Sequence, residues 1–176
     1  MALSRHLSTA RVATAVRTVR VRRFAAAFLD GLLALTIALT PAAFAASLGG
    51  PVQSRVFGAG LLVGTAYLLL RDAIPYAEWG ARSLGKRWLG VRPYDIDGGD
   101  LDWRTSVRRN ATVAAAFGIP AVTYVVGGHR GIPFGQTLLY VAVLLALGEA
   151  VLVAVDREGA RLGDRWAGTR VTEARA

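Results

Sequence analysis

An arginine and an aspartate open the first long apolar stretch of this chain: Arg23, then Asp30 seven residues later. Two helical turns separate them, so on a helix they share a face. From Phe24 to Leu48, Asp30 is the only ionisable residue. Such a stretch can cross a hydrocarbon core of about 30 Å, which takes about 20 helical residues. A carboxylate inside it costs about 2.5–3.5 kcal/mol on insertion scales and therefore needs a partner or a task. Its available chemistry is to bind a proton or small cation, or to pair with another intramembrane charge. Glu149, within the last apolar stretch, is a second carboxylate of this kind, so Asp30 and Glu149 form the candidate ion or proton site. Arg108 stands four residues after Arg104 and enters the third apolar stretch on the same helix face. It is either a counter-ion for Asp30 or a charge anchor at the membrane surface.

The elements that must position these charges follow from composition. Of the 176 residues 53% are hydrophobic and 19% charged, a balance that points to membrane integration. The absence of cysteine excludes disulfides and thiolate metal sites, and His6 and His129 lie far apart with no second ligand-type residue nearby. Neither a metal nor a cofactor is expected. Gly80 to Lys86 approaches the phosphate-loop pattern, but Arg87 replaces the required hydroxyl residue and no strand precedes it. The acidic run Asp95, Asp97, Asp100 and Asp102 lacks EF-hand spacing and reads as a solvated hairpin.

The expected architecture is an all-α membrane protein with four transmembrane helices over about 24–48, 52–70, 108–126 and 134–155. A basic arm over 1–22 precedes them and is read as a retained cytoplasmic segment rather than a cleaved leader. The membrane domain is expected over 23–171, with a polar segment at 71–107 and a short tail at 172–176. Val91 to Trp103 is expected to fold as a short β-hairpin turning at Asp97 to Gly99. Nineteen of the 21 Lys and Arg residues lie within 1–23, 71–109 and 156–176, so the positive-inside rule places both termini and the polar segment in the cytoplasm. The net charge of +9 thus reflects topology, and nucleic acid is not an expected partner. Arg82, Lys86 and Arg87, flanked by Trp79 and Trp88, are expected to meet anionic lipid headgroups. Gly60 and Gly64 allow a close helix–helix approach.

Three motifs resemble the RDD family of bacterial membrane proteins. The first is Arg23-x-x-Ala26-x-x-x-Asp30, the second Gly80-x-x-x-Leu84-Gly85-Lys86-Arg87-x-Leu89-Gly90-Val91-Arg92 with Asp97-Gly98 after it, and the third Arg161 to Thr169 containing Asp164 and Ala167-Gly168-Thr169. The resemblance assigns the name-giving arginine to Arg23 and the aspartates to Asp30 and Asp164. Gly163 departs from the pattern, since many relatives carry histidine there. The resemblance implies a multi-pass protein of the bacterial inner membrane and a role in transport, with sodium/proton antiport suggested for some members. It names no substrate.

Two functions remain open at this point. Asp30 and Glu149 could carry a small cation or solute, with an oligomer enclosing the path. Alternatively, Arg23, Asp30 and Asp164, with Arg108, form a structural charge cluster in an accessory or scaffold subunit of a membrane complex. The Gly60/Gly64 face and the basic arm would then meet partners or copies of the chain. No nucleophile–base pair or metal constellation appears, so no catalytic residue is assigned and an enzyme is not expected.

Overall fold

The computed structural model describes residues 2–74, 82–97, 99, 101–156 and 159–173, with side chains from Val19 onward except at 129 and 173. Trp79, Gly80, Gly98, Asp100 and the side chains of His6 and His129 lie outside the described residues. Four helices are long and apolar enough to cross a membrane. They belong to α1 (Ala2–Phe44), α2 (Gly50–Leu70), α4 (Trp103–Gly127) and α5 (Ile132–Val155). The described residues also include short helices α3 (Leu84–Trp88) and α6 (Leu162–Ala167) and strands β1 (Val91–Asp95) and β2 (Thr169–Glu173). Helix α1 runs without a break from Ala2 through the first apolar stretch.

Local chemistry sets the helix ends. Three residues beyond Pro41, α1 gives way to a 3-10 turn over Ala45–Leu48. Gly49 then reverses the chain at φ 95°, a conformation that a side chain would resist. Proline stands in the first turn of α2 and of α5, where its missing N–H costs nothing. Asp102 caps α4 by accepting from Thr105 N at 2.7 Å, which starts that helix earlier than hydropathy alone suggests.

Packing runs in the order α1, α2, α4, α5, while α1 and α5 touch at few places. Ala34 and Ala38 of α1 are fully buried against α2, and Leu61 and Leu68 of α2 face Ala121 and Ala114 of α4. Phe57 and Tyr124 meet edge to face at 5.2 Å. Gly60 lies against Ala38, and Gly64 against Ala34, so close that a Cβ at either would strike the α1 backbone. Among the described residues the expected hairpin is not found. A turn does close from Asp95 N to Gly99 O at 3.1 Å, but residues 101–102 lead directly into α4. Strand β1 instead pairs antiparallel with β2 from the chain's far end, with Pro93 opposite Val171. The interhelical segment and the tail therefore form one cap over one end of the helices.

Candidate functional site

The three motif regions meet beneath this cap. Helix α3 lays Gly85 on α1, where a Cβ would come within 2.3 Å of the Ala26 carbonyl. That approach lets Gly85 N donate to Asp30 Oδ1 at 3.0 Å. Tyr67 donates to the same oxygen at 2.9 Å, and Arg71 Nη1 donates to Asp30 Oδ2 at 3.1 Å. Asp30 is fully buried, and both its oxygens are occupied by donors of the protein. Its counter-ion is Arg71. Arg108, the expected candidate, is exposed, because α4 turns the adjacent Arg109 inward.

Arg71 continues the network by donating to Asn110 Oδ1 at 3.1 Å, and Asn110 Nδ2 donates to Asp72 Oδ2 at 3.2 Å. Lys86 Nζ pairs with Asp72 Oδ1. This corrects the reading of Lys86 as a headgroup contact: the ammonium is buried because Asp72 is buried beneath it. Of the other headgroup candidates, Arg87 and Trp88 are exposed and Arg82 is half-buried. Burial alone would raise the Asp72 carboxyl, but Lys86, Arg109 and Arg71 outweigh it and hold the group well below the usual carboxylate range.

A second knot forms around Asp164. Arg23 donates to its Oδ2, as does Arg161 N at 3.0 Å. Arg161 Nη2 reaches Oδ1 at 3.3 Å. Arg109 Nε stands 2.9 Å from Asp164 Oδ1 and 3.6 Å from Asp72 Oδ2, so it bridges the two knots. Burial pushes the Asp164 carboxyl up, yet Arg161, Arg109 and Arg23 prevail and keep it ionised. Arg23 and Asp30 thus share a helix without pairing to each other: each takes its partner from another element. Arg23 also donates to the Gly159 carbonyl, tying the tail twice to α1. Gly163 packs on α4, where a Cβ would lie 2.0 Å from the Arg109 carbonyl. A histidine could not stand there unless α6 moved away.

Glu149 remains apart from Asp30. Its Oε2 accepts from Leu162 N at 3.2 Å, and it lines a cavity of about 240 Å³ together with Arg23, Arg71, Lys86, Arg109 and Arg161. No group of three or more metal-ligating side chains occurs among the described residues.

Arg71, Asp72, Arg109, Asn110 and Arg161 are the members that the sequence reading did not assign to the site. In sequence, Arg71 and Arg109 look like ordinary flanking charges because each borders an apolar stretch. The available signal was the adjacency of Arg71 to Asp72, and of Arg109 to Asn110, at two helix ends that antiparallel packing brings level. A family model described as the RDD family matches residues 18–168. No curated protein and no solved structure matches the chain.

Proposed function

The chain belongs to the RDD family, and we propose that it acts as a non-enzymatic accessory or scaffold subunit of a larger assembly in the bacterial inner membrane. The observation that carries this reading is the saturation of Asp30. Three donors, from α2, the Arg71 that caps it, and α3, occupy its two oxygens, and no part of it is exposed. A carboxylate so held is a post that fixes α1, α2 and α3 in one arrangement. Buried ionic groups of this kind add specificity of structure more readily than net stability.

Cation transport fits the same residues less well. Glu149 borders a cavity, but five cationic side chains line that cavity with it and repel an incoming cation. With the basic segments in the cytoplasm by the positive-inside rule, the exposed Arg87 and Trp88 meet anionic headgroups on that side. Partner subunits, or further copies of the chain, meet apolar helix faces that the fold leaves open, such as Tyr140, Leu144 and Val151 of α5.

Reconstitution tests this directly. In liposomes with an imposed pH gradient, the protein is expected to give no proton-coupled cation flux above empty vesicles. Flux that Asp30→Asn abolishes in a folded protein overturns the proposal. In mildly solubilised native membranes the protein is expected to migrate well above its own 18.6 kDa. Migration as a lone chain counts equally against it.

A further inference from the structure

The cavity beside Glu149 is lined by two unlike kinds of residue. Five of the described residues that line it are cationic and one is acidic. Behind these cations stand Asp30, Asp72 and Asp164, so that with Glu149 four carboxylates face five positive charges. One positive charge is left over in a buried place. Its location is visible in the hydrogen bonding. Arg109 is 1% exposed, yet among the described residues its Nη1 finds no acceptor, and Nε, although close to two carboxylates, makes no hydrogen bond. Arg71, 2% exposed, likewise has an Nε without an acceptor among the described residues. Buried guanidinium donors left without acceptors carry a large desolvation cost, which an anionic oxygen removes.

The rest of the lining is apolar. It includes Phe24, Ala27 and Gly31 of α1, Val113 and Phe117 of α4, and Ala146, Ala150 and Val153 of α5. Phe117 lies eight residues along α4 from Arg109, about 12 Å at helical rise. The sparse contact between α1 and α5 leaves the cavity bounded by two helices that barely meet. A small free anion would satisfy the arginines but leave the apolar walls uncovered. A molecule with an anionic head and an apolar tail satisfies both.

We propose that the cavity binds the anionic headgroup of a membrane amphiphile, with Arg109 as the main donor and the tail lying between α1 and α5. The volume of about 240 Å³ falls below the roughly 300–1,000 Å³ usual for drug-sized ligands. It therefore holds the head and the first part of the tail, while the remainder runs into the bilayer. Lys86 and Arg161 close the site from above, and Glu149 limits it to a head of low negative charge. This site is distinct from the exposed Arg87 and Trp88, which lie on the outer surface. It also stands independently of whether the protein is a scaffold or a carrier.

The test uses the full chain in dodecyl maltoside with added dioleoyl phosphatidylglycerol or dioleoyl phosphatidylcholine, counting retained lipid by native mass spectrometry. Phosphatidylglycerol is expected to stay bound, and inorganic phosphate in excess is expected not to displace it. Arg109→Gln should weaken retention by about tenfold or more, as loss of a charged hydrogen bond implies. Because Arg109 also bridges two aspartates, Ala150→Phe provides a second variant that fills the space beside the apolar lining and leaves every charge in place. It should reduce retention similarly, with elution profile and melting temperature unchanged. Equal retention of the two lipids, undiminished binding by Ala150→Phe, or displacement by inorganic phosphate would each overturn the proposal.

Discussion

The two sides of α1 solve the burial of charge in opposite ways. Toward α2 and α3, the helix presents Ala26, Asp30, Ala34, Ala38 and Ala42, all buried and each four residues from the next. Gly85, Gly64 and Gly60 meet three of these alanines almost backbone to backbone. Because the neighbours come so near, a backbone N–H reaches Asp30 and completes its shell. Toward α5, α1 presents Phe24, Ala27 and Gly31 to a cavity, and a Cβ on Gly31 would meet nothing within 4 Å. On that side Arg109 keeps donors without acceptors among the described residues. Small residues thus serve two ends: matched across an interface they close it, and unmatched they leave room.

Substitutions can break this contrast. The largest loss is expected for Gly85→Val, which drives a branched side chain into the Ala26 carbonyl and displaces the N–H that serves Asp30. Destabilisation above about 4 kcal/mol is expected, the range of changes that unseat a buried element, and would appear as loss of a monodisperse peak in size exclusion. A folded Gly85→Val protein would show that the α1–α3 contact is looser than described. Next comes Asp30→Ala, expected to cost about 3–5 kcal/mol because it strands the buried Arg71. Glu149→Ala, which removes one acceptor from Leu162 N, should cost only about 1–3 kcal/mol. Melting in the same detergent compares the two, and equal losses would erase the distinction between the saturated carboxylate and the one at the cavity. The smallest effect is expected for Gly31→Ala, between neutral and a gain of about 1 kcal/mol, since the helix favours alanine and the site has space. A marked loss there would mean that the α5 side is closed.

Much of this was legible in the residues themselves. Asp30 stands out because a lone carboxylate interrupts a long apolar run, and the four spans follow from hydropathy and the spacing of Lys and Arg. The partners of that carboxylate were not legible. Arg71 and Arg109 look like ordinary flanking charges, and Arg108 looks equivalent to Arg109 until the rotation of α4 buries one and exposes the other. The pairing of β1 with β2 was hidden for a similar reason. A turn signal at Asp97 to Gly99 shows that the chain bends but does not show which strand will supply the ladder, and the one that does lies more than 70 residues away.

By itself the sequence determined the class of the molecule and the places where charge is exceptional. Apolar length and charge distribution are local properties, and the bilayer reads them segment by segment. Which charges pair was decided only by tertiary structure. An ion pair depends on helix rotation and on how closely backbones approach, and here Gly85 and Gly163 set that approach from two distant parts of the chain. The same packing left Arg109 with donors to spare, an outcome that no count of charges along the chain could reveal.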